Sequence, residues 1–118
     1  MGPFSVRLIV KAPGGKAEQV VKALVDTGAA ISVLPTLTLR RLGIRSYWRR
    51  CFVLANGEKI ERDVGIAVMR WNGTEGASEV VFGEKGDKPL LGAMSLEALG
   101  LKVNSRKGCL EPTELLLL

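Results

Sequence analysis

The chain has 118 residues, a length that fits one domain with its own hydrophobic core and needs neither a metal nor disulfides to fold. Its composition, 47% hydrophobic and 25% charged, is that of an ordinary soluble globular protein, and its 14 glycines indicate many turns rather than long helices. The chain contains no histidine, which excludes the common zinc sites and every serine or cysteine mechanism that uses a histidine base. These totals favour one mostly-β domain that uses no metal and no cofactor.

The charge balance and the two cysteines say little about partners. Seventeen Lys and Arg against twelve Asp and Glu give a formal net charge of +5, but the basic residues are scattered and only one Tyr can stack on bases. Nucleic-acid binding is therefore a third hypothesis only. Cys51 and Cys109 are isolated and are interpreted as buried thiols. Since the sequence shows neither a secretory signal nor a membrane span, we expect a cytoplasmic protein with no membrane partner.

The first third of the chain predicts a hairpin that leads into a tight turn. Ser5 to Lys11 and Glu18 to Val25 are rich in β-branched and other apolar residues, and Pro13-Gly14-Gly15 separates them. Asp26-Thr27-Gly28 follows the second strand directly, and Ile31 to Leu34 then predicts a further short strand. The aspartate is therefore expected on a loop held by strands at both ends.

The central part predicts a short helix and a long hairpin. Thr36 to Leu42 has helical leucine spacing, with Thr36 as a candidate N-cap and Gly43 as a stop signal. Arg49 to Leu54 and Lys59 to Val68 then flank Asn56-Gly57, one of the strongest short hairpin signals. We expect the tip of this hairpin near Asn56 and Gly57.

The last third predicts further strands and a second helix. A turn at Asn72-Gly73-Thr74 leads to a strand over Ser78 to Phe82, and another β segment ends at Pro89 to Gly92. Met94 to Leu99 has a helical arrangement that Gly100 closes. A last hairpin is predicted from two short β segments, Leu101 to Val103 and Cys109 to Glu111.

Three features in order resemble the retropepsin-like aspartic peptidases. In that family an Asp-Thr/Ser-Gly-Ala motif lies between apolar strands, and a later apolar-apolar-Gly motif precedes a short helix. Leu24 to Ala29 matches the first motif, and Leu90-Leu91-Gly92 followed by Met94 to Gly100 matches the second. The hairpin at Asn56-Gly57 occupies the place of the family's flap. The resemblance runs from about Phe4 to Pro112.

The resemblance implies a fold, a domain layout and a set of catalytic residues. It implies an all-β, closed acid-protease barrel with one or two short helices that contributes one half-site per chain. Residues 1–118 then form a single domain with its core at about 4–112, and 113–118 is a tail or a dimer-interface strand. The catalytic residues are Asp26 with Thr27 and Gly28, where Gly28 permits the turn and Thr27 can hydrogen-bond to fix the loop.

The number of aspartates requires a second subunit. Peptide hydrolysis without a metal or a covalent intermediate can be performed by two carboxylates that share one proton. The chain has three aspartates, and neither Asp63 nor Asp87 is followed by Thr-Gly or Ser-Gly. A two-fold axis between two copies of Asp26 would supply the pair, which predicts a homodimer. Leu115 to Leu118 and Phe4 to Val10 are candidates for an interface sheet, although Pro112 is unusual so near a last strand.

The expected substrate is an extended peptide or protein segment with apolar side chains, bound by strand-like hydrogen bonds. The predicted substrate-binding residues come from the active loop, the hairpin tip and the second motif: Ala29, Ala30, Ala55, Asn56, Gly57, Leu90 and Leu91. The alternative hypothesis is a non-catalytic module of the same fold that dimerises or binds peptides, in which Asp26 only stabilises its loop.

Overall fold

The computed structural model describes residues 3–114 and residue 117, and in that part the chain forms strands with two short helices. The mostly-β prediction is confirmed. In chain order the elements are β1 Ser5–Lys11, β2 Glu18–Val25, β3 Ser32–Pro35, α1 Thr36–Arg41, β4 Trp48–Val53, β5 Lys59–Trp71, β6 Thr74–Gly83, β7 Leu90–Leu91, α2 Ala93–Leu99, β8 Leu101–Asn104 and β9 Cys109–Pro112.

Seven strands form one sheet in the order β1-β2-β7-β3-β6-β5-β4. An additional antiparallel pairing of β1 with β5, in which Ile9 faces Arg70 and Lys11 faces Val68, closes this sheet into a barrel. β4 pairs with β5 alone and so extends beyond the barrel wall. β8 and β9 form a separate two-stranded sheet.

Two turns set the registers of the hairpins. Asn72 and Gly73 have positive φ angles of 48° and 84° and connect Trp71 to Thr74 in a two-residue turn. The predicted turn also includes Thr74, which is instead the first residue of β6. The β4–β5 hairpin has a longer tip, because the Leu54 amide donates to the Glu58 carbonyl over 2.8 Å and leaves three residues between them. Gly57, with φ 87°, completes that tip.

The core fills the barrel and continues under the two helices. Its fully buried members include Leu8, Leu34, Leu39 and Met69. β2 shows the alternation that such a core requires, because Val21, Ala23 and Val25 are buried and the residues between them are more exposed. A smaller cluster of Ile31, Val64 and Val81 lies apart from the main core.

Glycine ends α2, and a side chain expected as a helix cap has another partner. Gly100 takes the left-handed conformation with φ 69° and stops α2 as predicted. At α1 the residue before the helix is Pro35, and no side chain caps it. The Thr36 hydroxyl instead donates to the Gly83 carbonyl over 2.8 Å, so the predicted N-cap role is wrong and this hydroxyl joins α1 to β6.

Two expectations about the surface need correction. Ile9 and Val10 have β2 on one edge and β5 on the other, so Phe4 to Val10 cannot serve over its whole length as a strand of an interface sheet. The other candidate for that sheet, Leu115 to Leu118, lies outside the described residues except for Leu117, which is exposed. Cys51 is also exposed rather than buried, since β4 is an outer strand, and Cys109 is half-buried.

Within residues 3–114, neither of the two helices has the length and apolar character needed to cross a membrane.

Candidate active site

Asp26 lies at the first position after β2, where the chain leaves the barrel wall. The Val25 amide donates to the Phe4 carbonyl over 2.8 Å, and the Asp26 amide donates to the Leu91 carbonyl over 3.0 Å. The turn that follows is closed by the aspartate itself, because Asp26 Oδ1 accepts from the Gly28 amide at 2.9 Å. The carboxylate is therefore fixed at one oxygen, on a half-exposed residue followed by the exposed Thr27 and Gly28.

The loop after Asp26 is joined to the start of α2 by main-chain hydrogen bonds. The Ala93 amide donates to the Ala29 carbonyl over 2.8 Å, and the Met94 amide donates to the Ala30 carbonyl over 3.0 Å. These contacts join the two sequence motifs into one unit. Free amides at the start of a helix need acceptors, and the loop carbonyls supply them.

Gly92 makes this close approach possible. A Cβ at this position would lie 2.8 Å from the Ala29 carbonyl oxygen and 2.9 Å from the carbonyl carbon of Ile31. Both neighbours are main-chain atoms, which cannot rotate away as a side chain does. The glycine of the second motif is therefore required by the space available and not by its φ angle, which is −93°.

A chain of three serine hydroxyls lies behind the loop. Ser32 Oγ accepts from the Gly92 amide at 2.9 Å and is 2.6 Å from Ser95 Oγ, which is 2.7 Å from Ser78 Oγ. Ser32 is 0% exposed and Ser95 is 1% exposed. Serine in a strand or a helix has no distinctive pattern, so sequence reasoning missed this set.

A cleft of about 580 Å³ begins at this loop. Its walls come from the active loop, from the β4–β5 hairpin and from the segment before β7, and most of them are apolar. The lining residues are Gly28, Ala29, Ala30, Ile31, Val33, Phe52, Val53, Leu54, Ile60, Arg62, Val81, Gly86, Asp87, Lys88 and Leu90.

The predicted substrate-binding residues take three kinds of position. Ala29, Ala30 and Leu90 line the cleft. Leu91 is 0% exposed and belongs to the core, because consecutive residues of a strand point to opposite faces. The third group consists of Ala55, Asn56 and Gly57, which are exposed at the hairpin tip and do not line the cleft in the single chain.

Sequence reasoning missed most of the hairpin wall. Phe52, Val53, Leu54 and Ile60 lie before and after the tip and supply apolar surface to the cleft. Val53 is 67% exposed and Leu54 is 39% exposed. The signal for this wall was the apolar run next to the predicted tip, because an exposed apolar run beside a cleft indicates a binding surface.

The charged residues of the lining lie together. Arg62 Nε donates to Asp87 Oδ2 over 3.0 Å, and the Glu84 amide donates to the same oxygen over 2.8 Å. The Arg62 guanidinium, and after it the Glu84 amide, lower the pKa of Asp87 below its ordinary value of 3.8. Burial acts in the opposite direction and is outweighed. The pair therefore joins β5 to the loop before β7 at one wall of the cleft.

This ion pair predicts a pH-dependent difference in stability. Because the pKa of Asp87 is lower in the folded chain than in the unfolded chain, its contribution is complete above the ordinary value and disappears as the pH falls through the folded value. We expect Asp87→Asn to unfold at a lower temperature than the unchanged protein near pH 7, and the difference between the two unfolding temperatures to shrink as the pH falls below 3.8. Thermal unfolding at equal chain concentration measures this. A gap that stays constant with pH would contradict it.

Both of the other aspartates are held by arginine side chains. Asp63 accepts from Arg49 at 3.1 Å, and Asp87 is held by Arg62. No group of three or more Cys, Asp or Glu side chains in the described part of the chain could hold a metal ion. Of the three aspartates, Asp26 is therefore the one that forms no ion pair with an arginine in the described part of the chain.

Comparison with known proteins adds a family to this geometry. Residues 14–98 match the family described as "gag-polyprotein putative aspartyl protease". Among solved structures, a retropepsin-like aspartic protease from Rickettsia conorii shares 20% sequence identity, with a TM-score of 0.44, over 89% of this chain and 95% of that chain. A search of curated proteins gave no significant match.

Proposed function

Because the chain belongs to the gag-polyprotein aspartyl protease family, we propose that it is an aspartic endopeptidase that acts as a homodimer. The observation that carries the proposal is the position of Asp26. Its main-chain amide is bonded to Leu91, and its loop continues directly into the cleft lining at Gly28 to Ile31. A rigid carboxylate at the edge of an apolar cleft is the half-site that this chemistry needs.

In the proposed reaction, two Asp26 carboxyl groups share one proton and hold a water molecule between them. The ionised group takes a proton from the water as its oxygen attacks the peptide carbonyl carbon, and the protonated group gives its proton to the carbonyl oxygen. The tetrahedral diol then collapses as a proton passes to the amide nitrogen and the C–N bond breaks. Two like charges so close cannot both ionise easily, so we expect activity on the acidic side of neutrality.

The second carboxyl group has to come from another copy of the chain. Asp63 and Asp87 are engaged by arginines, whereas Thr27 and Gly28 beside Asp26 are exposed. An isologous contact around this loop would place two identical loops face to face. In that arrangement we propose that each hairpin tip, at Ala55 to Gly57, covers the joint cleft.

We propose that the substrate is an extended peptide with apolar side chains near the cleaved bond. Phe52, Ile60 and Leu90 provide apolar walls, and β4 has one edge without a partner strand in the described chain. Such an edge can bind an extended backbone by added-strand hydrogen bonds. Alternate substrate side chains would then enter the apolar cleft.

A mixing experiment tests the shared dyad. Unchanged chain and Asp26→Asn chain are unfolded together, refolded at constant total concentration, and assayed on an unstructured protein substrate. If both carboxylates are needed, activity follows the square of the unchanged fraction, so an equal mixture retains about one quarter of it.

The alternative outcomes of the mixing experiment are distinct. If the site is complete within one chain, activity is proportional to the unchanged fraction, so the equal mixture retains about one half of it. That result would contradict the shared dyad. No cleavage by a confirmed dimer of unchanged chains would instead support the non-catalytic peptide-binding module.

A further inference from the structure

The serine hydroxyls behind the active loop connect elements that are distant in sequence. Ser32 begins β3, Ser78 is on β6 and Ser95 is on α2. Ser95 lies between the other two hydroxyls, at 2.6 Å from Ser32 and 2.7 Å from Ser78. One buried side chain on α2 therefore bonds to β3, the strand that follows the active loop, and to β6, the strand that pairs with β3.

The hydrogen-bond capacities restrict the possible arrangements of protons. Ser32 Oγ already accepts from the Gly92 amide, so its own proton is free to point toward Ser95. Ser95 then donates to Ser78, and every bond in the row is satisfied with one proton per hydroxyl. If the direction is reversed, Ser32 accepts twice and its own proton has no acceptor among these groups. In both arrangements Ser95 is the necessary middle member.

The three serine hydroxyls contact the second motif at Gly92, next to the residues that bond to the active loop. Ser32 holds the Gly92 amide, and the next two residues of that segment, Ala93 and Met94, hold the Ala29 and Ala30 carbonyls. The Gly92 amide donates to a side chain, whereas the Ala93 and Met94 amides donate to main-chain carbonyls. A displaced Ser32 therefore alters the segment on which the loop after Asp26 rests.

We propose that Ser95 is a positioning residue for Asp26, acting through Ser32 and Gly92; this inference rests on the proposed peptidase function. Without the Ser95 hydroxyl, Ser32 and Ser78 lose a shared partner in a site where Ser32 is closed to water. An unsatisfied buried hydroxyl drives a local rearrangement. The loop then samples more positions, and the carboxylate is less often aligned with its partner across the dimer.

The matched control is another hydroxyl that stabilises the same helix without contacting the loop. Thr74 Oγ1 donates to the Leu99 carbonyl over 2.7 Å at the far end of α2. Thr74→Val removes that bond and keeps the side-chain shape. Each variant thus deletes one hydroxyl that forms a hydrogen bond at α2. The Ser95 hydroxyl contacts Ser32, whereas the Thr74 hydroxyl contacts the Leu99 carbonyl.

Steady-state kinetics distinguish the two variants by their kcat and KM. With an extended peptide substrate, at a temperature where both variants are fully folded, we expect Ser95→Ala to lower kcat about tenfold or more with KM within about twofold. Thr74→Val should leave both constants near those of the unchanged protein. Equal losses of kcat in the two variants, or an unchanged kcat in Ser95→Ala, would overturn the inference.

Amide hydrogen exchange tests the same inference without relying on activity. We expect Ser95→Ala to speed exchange at the Ala29 and Gly92 to Met94 amides, and Thr74→Val to leave these amides unchanged. If exchange is faster in Ser95→Ala but the unchanged protein cleaves no peptide, the contact between Ser95 and the loop segment is supported and the proposed function is contradicted. Unchanged exchange in Ser95→Ala would overturn the positioning role whether or not the protein is a peptidase.

Discussion

We expect Asp26→Asn to abolish peptide cleavage, with a loss of about a thousandfold or more. An amide cannot take the proton of the attacking water, and general acid–base catalysis of this kind contributes about 10² to 10⁴ in rate. Cleavage of an unstructured protein between mildly acidic and neutral pH measures the loss. A statine-type transition-state mimic should block the unchanged enzyme in the same assay.

The substitution should leave the fold intact, which makes the result interpretable. Asparagine Oδ1 can still accept from the Gly28 amide, the bond that closes the active turn at 2.9 Å. Thermal unfolding and ultracentrifugation should therefore give similar stability and the same oligomeric state for both proteins. Cleavage that persists in Asp26→Asn would show that the dyad assignment is wrong.

We expect Gly92→Ala to lose activity through a steric effect at a distance from the carboxylate. The new Cβ would lie 2.8 Å from the Ala29 carbonyl oxygen and 3.0 Å from that of Ile31, so the loop and the start of α2 must separate. Overpacking of this kind costs about 1–3 kcal/mol in the free energy of unfolding. Denaturant unfolding measures this loss, and we expect kcat to fall about a hundredfold because the loop that carries Asp26 is displaced.

Gly14→Ala provides a control of similar energetic cost. Gly14 lies in the β1–β2 turn with φ 72°, and no neighbouring atom lies within 4 Å of a Cβ placed there. The left-handed conformation alone costs about 1–2 kcal/mol for alanine. This variant should lose stability and retain kcat. If both variants retained kcat, the contact at Gly92 would not control the active loop.

Local sequence signals were sufficient to predict most of the elements. The turns at Asn56-Gly57 and Asn72-Gly73 lie where predicted, because Gly57, Asn72 and Gly73 tolerate the positive φ angles that tight hairpins need. Both helices end just before a glycine with a positive φ angle, Gly43 after α1 and Gly100 after α2. Such signals are contained within a few residues and do not depend on the rest of the fold.

Contacts between distant residues could not be predicted in the same way. Barrel closure between Ile9 and Arg70 involves an ordinary strand residue and a charged one, and neither carries a signal for its partner. The bond between Ser32 and Ser95 spans 63 residues. For such pairs the sequence shows which polar groups are present, but the fold determines which hydrogen-bond partners they have.

The parts of the candidate site that could be predicted are those that depend on local main-chain geometry. Asp26, Gly28 and Gly92 belong to motifs in which glycine permits a turn or a close approach. The cleft wall formed by Phe52 and Ile60 depends instead on how a long hairpin lies relative to the barrel, which sequence alternation does not specify. The functional roles of the predicted substrate-binding residues, including the tip at Asn56, stay predictions.

The bonds between the active loop and the second motif have a consequence for the newly made chain. Asp26 and its turn leave the ribosome early, but the acceptor at Leu91 and the donors at Ala93 and Met94 are synthesised more than sixty residues later. At the usual rate of about 5–20 residues per second, several seconds separate the two events. During that interval the nascent chain has its carboxylate but not the support that fixes it. We therefore expect the protein to be unable to cut its neighbours, or itself, until nearly all of the domain has been translated.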